Sequence, residues 1–226
     1  MSRLPFITFE GSEACGKTTQ VRRLAARLDS LHIPHLITRE PGGTLIGETI
    51  RELLQFAPHS SNMAPETELL LFEASRSQLV REVIKPALER DICVIADRFF
   101  DSTTVYQGAA RRLDREIIDH INEFAAGDCI PDITIVLHVN ASTAESRMKH
   151  EQRKPDRMEQ QSAEFYERVR EGYLELAERE PKRIILIDGS HDADAIEKKI
   201  WEIVSERFPV LTAPAKSKIE NQKSKI

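Results

Sequence analysis

The chain has 226 residues, of which 40% are hydrophobic and 31% charged, and its formal net charge is −5. This length is enough for one large α/β domain, and the acidic balance argues against nucleic acid as a main partner. No apolar run is long enough to cross a membrane, no signal pattern opens the chain, and the three cysteines lack metal-like spacing, so we expect a cytoplasmic protein.

The first predicted elements frame a phosphate-binding loop. Residues 6–9 form an apolar run typical of a buried strand, and residues 18–28 have the apolar spacing of a helix. Between them, residues 11–18 match G-x-x-x-x-G-K-[ST], whose glycines let successive backbone N–H groups point at a phosphate. Lys17 would reach the β- and γ-phosphates of a nucleoside triphosphate, and the Thr18 hydroxyl would bind Mg²⁺.

A second strand is predicted over residues 35–38 and ends in Arg39-Glu40-Pro41-Gly42-Gly43-Thr44. Charged residues at this end of a strand lie where ligands bind in open parallel sheets, although a solvated turn explains the same pattern. Helices are predicted over 44–57 and from 66 to about 90, with a kink or new turn at Pro86.

Phe72 and Arg76 are four residues apart and therefore share a face of the second of these helices. An aromatic ring beside a guanidinium could hold a flat base by stacking and hydrogen bonding. The alternative is a core aromatic beside a surface arginine.

The third predicted strand, residues 92–96, is a continuous apolar run that ends in Asp97-Arg98. A carboxylate there suits Mg²⁺ or its water shell, and an arginine suits a phosphate, unless the two form only a surface ion pair. Tyr106 and Gln107 follow as hydrogen-bonding groups for a sugar or base.

Strands and helices alternate through the rest of the chain. Helices are predicted over 114–124, 141–149, 165–177 and 195–208, and strands over 133–139, with His138 at its end, and 183–187. Five cations between Arg147 and Arg157 could stabilise phosphoryl transfer or form a solvated basic face. From Pro209 the composition indicates a disordered tail. The alternation predicts a five-stranded parallel sheet with helices on both faces.

Several spaced signatures give the chain a family resemblance from about residue 5 to 207. They are Phe9-Glu10-Gly11-Ser12-Glu13, Arg39-Glu40-Pro41-Gly42-Gly43-Thr44, Arg76-Ser77-Gln78-Leu79-Val80, Ile84-Lys85-Pro86-Ala87-Leu88, Asp97-Arg98, Asp101-Ser102-Thr103, Tyr106-Gln107-Gly108 and Asp156-Arg157-Met158-Glu159. With them the chain resembles the bacterial thymidylate kinases, P-loop nucleoside monophosphate kinases that phosphorylate dTMP to dTDP with ATP and Mg²⁺. The resemblance implies ATP as co-substrate, a role in dTTP synthesis and a homodimer.

The resemblance also implies residue roles. Glu13 would face the sugar 3′-hydroxyl, Phe72 would stack on thymine, and Arg76 would hydrogen-bond the edge of the base. Arg98 would bind the acceptor phosphate with Arg39 beside it. The implied catalytic residues are Lys17, Asp97, Arg98, Arg147 and Arg153; the ATP-binding residues are Gly11, Ser12, Glu13, Ala14, Cys15, Gly16, Lys17 and Thr18; the substrate-binding residues are Glu13, Arg39, Phe72, Arg76, Arg98, Ser102, Thr103, Tyr106 and Gln107; the Mg²⁺ ligands are Thr18 and Asp97, partly through water.

The segment 147–158 resembles the family's mobile lid. Positions 12–15 offer no basic residue, which resembles the bacterial subclass in which a lid arginine assists catalysis. Arg153 is the first candidate for that arginine and Arg147 the second. The implied domain is 1–208, followed by a tail over 209–226.

Two other functions share part of this evidence. A kinase for a different nucleoside or nucleotide would keep the phosphate loop and differ at the base pocket. A P-loop switch protein would be expected to contain an Asn-Lys-x-Asp motif and a strand followed by Asp-x-x-Gly. The sequence has neither motif in convincing form.

Overall fold

The computed structural model describes residues 3–58, 60–150 and 156–212, the side chains of residues 61, 149 and 150 excepted. In this part of the chain one parallel sheet contains β1 (Phe6–Glu10), β2 (His35–Arg39), β3 (Cys93–Asp97), β4 (Ile133–His138) and β5 (Ile184–Asp188). The strand order is β2-β3-β1-β4-β5, and every neighbouring pair is parallel. The predicted five-stranded parallel fold is confirmed.

Helices connect the strands and cover both faces of the sheet. They are α1 (Lys17–Ser30), α2 (Leu45–Gln55), α3 (Pro65–Leu79), α4 (Lys85–Glu89), α5 (Phe100–Thr103), α6 (Arg115–Ala126), α7 (Ala141–His150), α8 (Ala163–Arg179) and α9 (Ala193–Arg207). Wider π-type turns span Val80–Ile84 and Thr104–Ala110. Within the described residues, no helix is both long and apolar enough to span a membrane.

The helix predicted from 66 to about 90 is divided into α3, the π-type turn Val80–Ile84 and α4. Pro86 lies in the first turn of α4. Proline has no N–H to donate to the preceding turn, so the regular hydrogen-bond pattern is interrupted there. The kink expected at Pro86 therefore occurs as a widened turn just before it.

Of the three apolar cores among the described residues, two contain side chains of β1, and these two lie on opposite faces of the sheet because successive strand side chains alternate in direction. Ile7 and Phe9 of β1 pack in one core with residues of α1 and α9. Phe6 packs in the other core, with Leu79 and Phe99. Each such buried side chain contributes roughly 1.5–3 kcal/mol relative to an exposed one.

The expectation of a disordered tail from residue 209 is wrong for its first residues. Pro209–Leu211 form a 3-10 turn, and Leu211 is buried in the same core as Ile7. The apolar side chains of Val210 and Leu211 supply this anchor, and composition averaged over the tail does not reveal it. Residues 213–226 of the expected tail lie outside the described residues.

Candidate active site

The phosphate loop joins the end of β1 to α1. Gly11 and Gly16 have φ values of 132° and 101°, which favour glycine, and a Cβ at Gly11 would lie 2.3 Å from the Leu137 carbonyl oxygen. Ala14 also has a positive φ, 55°. Gly16 provides no side-chain cap for α1, so the first N–H groups of this helix are available to an anion.

Lys17 is buried at the base of this loop. Its Nζ donates hydrogen bonds to the carbonyl oxygens of Gly11, at 3.0 Å, and Ser12, at 2.7 Å. Cys15 is fully buried, and its Sγ lies 3.5 Å from the same Nζ. The lysine is therefore held in the concavity formed by the backbone of the loop.

Thr18 and Asp97 meet because β3 lies beside β1 in the sheet. The Thr18 hydroxyl donates to Asp97 Oδ2 at 2.5 Å. A hydroxyl and a carboxylate are oxygen ligands that fit Mg²⁺, which usually keeps several waters and binds through one or two protein groups plus phosphates. Among the described residues, no group of three or more His, Cys, Asp or Glu side chains could hold a metal by itself. The arrangement therefore fits a metal completed by nucleotide and water.

Arg98 lies between the phosphate loop and the segment that follows β3. It donates to the Gly11 carbonyl oxygen at 3.0 Å, to Ser102 Oγ at 3.2 Å and to Glu13 Oε1 at 2.7 Å. Burial raises the pKa of Glu13, but the charges of Arg98 and Lys17 outweigh it and lower that pKa overall. Tyr106 also donates to Glu13, at 3.1 Å.

Glu10, the last residue of β1, holds the residues around Arg98 in position through hydrogen bonds. Its carboxylate accepts hydrogen bonds from the N–H of Phe99 at 2.7 Å, from Ser102 Oγ at 2.6 Å and from the Tyr173 hydroxyl at 2.8 Å. Burial, followed by the charge of Asp101, raises the pKa of Glu10. No site role was predicted for Glu10, because the sequence around a strand-ending acid does not indicate which donors its carboxylate will contact in the folded chain.

One cleft of about 800 Å³ lies at the carboxyl end of the sheet. Of the predicted site residues, those lining it are Glu13, Ala14, Cys15, Gly16, Lys17, Thr18, Arg39, Phe72, Asp97, Arg98, Ser102, Thr103, Tyr106, Gln107 and Arg147. Gly11 and Ser12 lie in the loop beneath it, and Arg153 lies outside the described residues. Fifteen residues chosen from sequence therefore converge on one cavity.

Arg76 does not line the cleft either, because it lies behind the wall and is only 1% exposed. It donates to Glu40 Oε2 from both Nε, at 2.8 Å, and Nη2, at 2.6 Å, and its Nη1 donates to Glu73. Nη1 also donates to Thr103 Oγ1 at 2.9 Å. Two buried carboxylates hold the guanidinium in this position, and the expected contact between Arg76 and a base stays a prediction.

The cleft also contains residues that had no individual role from the sequence. Glu40, Asp156, Met158 and Glu159 were known only as parts of signatures, and Arg51, Gln55, Phe56 and His191 were not singled out at all. Arg51 donates to the Pro41 carbonyl oxygen at 3.0 Å, and burial, followed by the charge of Arg39, lowers the pKa of its guanidinium. One signal in the sequence could have identified Arg51. It lies two turns into the amphipathic helix α2, which follows the turn at residues 41–44 where ligand binding was already expected.

Arg147 of α7 lies against the phosphate loop at the other end of the cleft. Its guanidinium donates to the Ala14 carbonyl oxygen at 3.3 Å and to the Gly189 carbonyl oxygen at 2.9 Å. Both acceptors are neutral, so the positive charge of this arginine is not matched by either of these partners. The side chain brings a cation to the phosphate end of the cleft.

Comparisons with known proteins agree on one family. A family model described as thymidylate kinase matches residues 9–200. The chain is 46% identical over 195 residues to a thymidylate kinase of Kosmotoga olearia, covering 86% of this chain and 92% of the relative. It is also 46% identical over 209 residues to a thymidylate kinase of Geobacter sulfurreducens, covering 90% and 98%. The crystal structure of thymidylate kinase from Ehrlichia chaffeensis matches with a TM-score of 0.71 and 33% identity, covering 90% of this chain and 99% of that one. The chain belongs to the thymidylate kinase family.

Proposed function

We propose that the cleft binds ATP at the phosphate loop and dTMP beside Arg98, and that transfer of the γ-phosphoryl group gives dTDP and ADP. Family membership supports the reaction: the chain is a nucleoside monophosphate kinase of dTTP synthesis. The observation that carries the placement is Arg98, whose guanidinium contacts both the Gly11 carbonyl of the phosphate loop and Glu13. A cation there can contact both the donor and the acceptor phosphates.

The chemistry requires positioning and charge neutralisation more than proton transfer. The acceptor is a phosphate oxygen, which is already a nucleophile at neutral pH, so no general base is needed. Lys17, Arg98 and Arg147 are the cations that would neutralise the transferred group. On ATP binding, Lys17 would exchange its two carbonyl partners for phosphate oxygens, which are stronger acceptors.

Mg²⁺ fits beside the phosphate loop. Thr18 would hold it directly and Asp97 partly through water, and the metal would supply charge neutralisation on the phosphates. The 2.5 Å hydrogen bond between these two side chains supports the assignment, because it brings both oxygen ligands to one point.

The acceptor nucleoside would occupy the part of the cleft beyond Arg98. Phe72 would stack on thymine, Glu13 would face the sugar 3′-hydroxyl, and Tyr106 would obstruct a ribose 2′-hydroxyl. Ser102, Thr103 and Gln107 supply polar groups along the same wall. Arg76 would hydrogen-bond the edge of the base, as the resemblance implies, and we propose that it also holds Thr103 and Glu40 in position.

The segment 147–158 remains the proposed lid, with Arg153 and Arg147 as candidates for its catalytic arginine. Closure would exclude water and limit wasteful ATP hydrolysis. Arg147 already contacts the Ala14 carbonyl of the phosphate loop, which favours it on geometry.

A homodimer is proposed on the helices beside the cleft. Leu45 of α2, Leu70 of α3 and Phe124 of α6 are large apolar side chains with exposures of 89%, 58% and 77%. α3 packs against both α2 and α6, so these apolar groups lie on adjoining helices, as expected for an interface between copies. A cytoplasmic location stays a prediction, which a role in dTTP synthesis supports.

The experiment is a panel of acceptors. ADP formation from ATP and Mg²⁺ is measured with dTMP, dUMP, UMP, CMP and AMP at equal concentrations. We expect dTMP to have the highest kcat/KM. If UMP, CMP or AMP is used better than dTMP, the base-pocket assignment is wrong and a kinase for another nucleotide is indicated.

A further inference from the structure

Glu68 of α3 lies behind the wall of the cleft, and its carboxylate is only 1% exposed. Its Oε1 accepts hydrogen bonds from Gln107 Nε2 at 2.7 Å and from Arg111 Nε at 3.2 Å. Its Oε2 accepts from Arg111 Nη2 at 3.1 Å and from Arg157 Nη1 at 2.6 Å. Four donors therefore occupy the four acceptor positions of this carboxylate.

The charge of Glu68 is stable in this environment. Burial raises the pKa of Glu68, but the hydrogen bond and charge of Arg111, together with the charge of Arg157, outweigh it and lower that pKa overall. At neutral pH the side chain is therefore a carboxylate, which accepts hydrogen bonds and donates none.

This charge fixes the orientation of the Gln107 amide. Only its N–H group can face Glu68, because the amide oxygen would place two acceptors against each other. Gln107 is 2% exposed and lines the cleft. Among the described residues no protein group donates to its Oε1, so the carbonyl oxygen and one remaining N–H are left for a ligand.

We propose that Glu68 is a positioning residue that sets base specificity, by holding the Gln107 amide in the orientation that matches the imide edge of a pyrimidine. This inference rests on the proposed function, which puts the acceptor base in this part of the cleft. The N3–H of thymine or uracil would donate to Gln107 Oε1, and a neighbouring base carbonyl would accept the remaining N–H. Cytosine presents an acceptor at N3 and an amino donor beside it, so it needs the opposite amide orientation, which Glu68 forbids.

The test uses dUMP and dCMP, which both lack the 5-methyl group and differ at this edge of the ring. The ratio of their kcat/KM values is measured for wild type and Glu68→Gln. A glutamine at 68 can donate or accept, so the Gln107 amide can turn, and we expect the dUMP preference to fall on the order of tenfold or more. A folded Glu68→Gln with the wild-type ratio would overturn the inference.

Arg111→Lys is the matched control. It keeps the positive charge beside Glu68 and the bond from Gln107 but loses the paired hydrogen bonds of the guanidinium, so its melting temperature should fall while the dUMP-to-dCMP ratio stays unchanged. In a Gln107→Leu background, Glu68→Gln should have no further effect on the ratio, because Glu68 acts through Gln107. An additive effect in the double variant contradicts that route.

A measurement on the wild type covers the case in which Glu68→Gln does not fold. N3-methyl-dTMP lacks the imide N–H, and we expect its kcat/KM to be on the order of tenfold or more below that of dTMP. Equal use of the two overturns the amide orientation. These outcomes are separable from the proposed function, which fails only if wild type does not prefer dTMP over other monophosphates.

Discussion

Asp97 shows how one residue of this site depends on a neighbour distant in sequence. Its carboxylate accepts the Thr18 hydroxyl because β1 and β3 are adjacent, with Phe9 opposite Asp97. Both residues were identified from sequence, each from the end of its own predicted element. Their contact follows from strand order, which the sequence alone does not specify.

The metal assignment predicts a defect in Asp97→Asn. An amide has no negative charge and orients a metal-bound water less strongly, so the Mg²⁺ concentration for half-maximal activity should rise about 10- to 100-fold. A magnesium titration of ADP formation measures this, with Asp119→Asn on the exposed surface of α6 as control. Removing Mg²⁺ with EDTA should abolish wild-type turnover. An unchanged titration in Asp97→Asn contradicts the assignment.

Single residues also show where sequence reasoning stopped. The loop 11–18 was predictable because its chemistry lies in consecutive positions. Arg76 was placed correctly on one helix with Phe72, but its partners Glu40 and Glu73 neutralise it behind the wall of the cleft. Glu10 and Glu68 were missed, because their donors come from residues roughly 40 to 160 positions away.

Between elements, Glu40 joins the end of β2 to α3 through Arg76. Burial raises the pKa of Glu40 from 4.5 to about 7, against the lowering effect of Arg76. Glu73 and Glu10 act in the same direction as burial. Between pH 4.5 and 7 the folded protein therefore binds more protons than the unfolded chain at this site, so stability falls as pH rises through this window.

This sign gives a measurable prediction for Glu40→Gln. From pH 5 to 8 the wild type should lose about 2 kcal/mol more stability than the variant, a difference of several degrees in melting temperature. Calorimetry across this range tests it, and Glu52→Gln on the exposed side of α2 serves as the control. Parallel stability curves for wild type and Glu40→Gln would show that Glu40 does not titrate there.

Gly172 shows that one element can set the position of another. A Cβ at this residue of α8 would lie 3.1 Å from Ala109 Cβ and 3.2 Å from Val105 Cγ1, in the turn that carries Tyr106 and Gln107. Such contacts are too close unless the turn shifts by a few tenths of an ångström. The glycine therefore keeps the turn close to α8.

We expect Gly172→Ala to raise the KM for dTMP several-fold, because the shift displaces the acceptor wall. Steady-state kinetics measure this, and Gly108→Ala is the control, since its Cβ would make only ordinary contacts with Ile118 at 3.7 Å and beyond. A KM change in Gly108→Ala and none in Gly172→Ala contradicts the explanation. Alanine is favoured over glycine in a helix by about 1 kcal/mol, which can offset the cost of the close contacts. The melting temperature of Gly172→Ala therefore does not report the displacement of the turn.

Among the strands, β1, β3, β4 and β5 were predictable because they are nearly continuous apolar runs, whereas β2 has only two apolar residues and was identified with the help of the turn that follows it. The helix predicted over 66–90 was correct in extent, and the widened turn at Val80–Ile84 was not foreseen in detail. Leu70 is an apolar residue of that helix, yet its side chain is exposed. Helical spacing identifies which residues share an apolar face of a helix, but it does not indicate whether that face packs against the sheet or against another molecule.

For the whole molecule, the exposed apolar residues predict a dimer. The mass in solution should be twice the chain mass of 25.7 kDa, and Leu70→Glu should shift it toward the monomer, because a charge buried at an interface is strongly unfavourable. Light scattering after size exclusion measures the mass. Leu174→Glu on α8, away from these helices, is the matched control. A monomeric wild type rules out the proposed interface.

The proposed function requires that the cleft couple ATP turnover to a monophosphate acceptor. The most direct measurement is ADP formation from ATP and Mg²⁺ with and without dTMP, in wild type and in Arg98→Ala. We predict that wild-type turnover depends on dTMP and yields one dTDP for each ADP, and that Arg98→Ala loses on the order of a hundredfold or more in kcat/KM for dTMP. Equal ADP formation with and without dTMP would contradict the proposed function, because the cleft would then transfer the phosphoryl group to water.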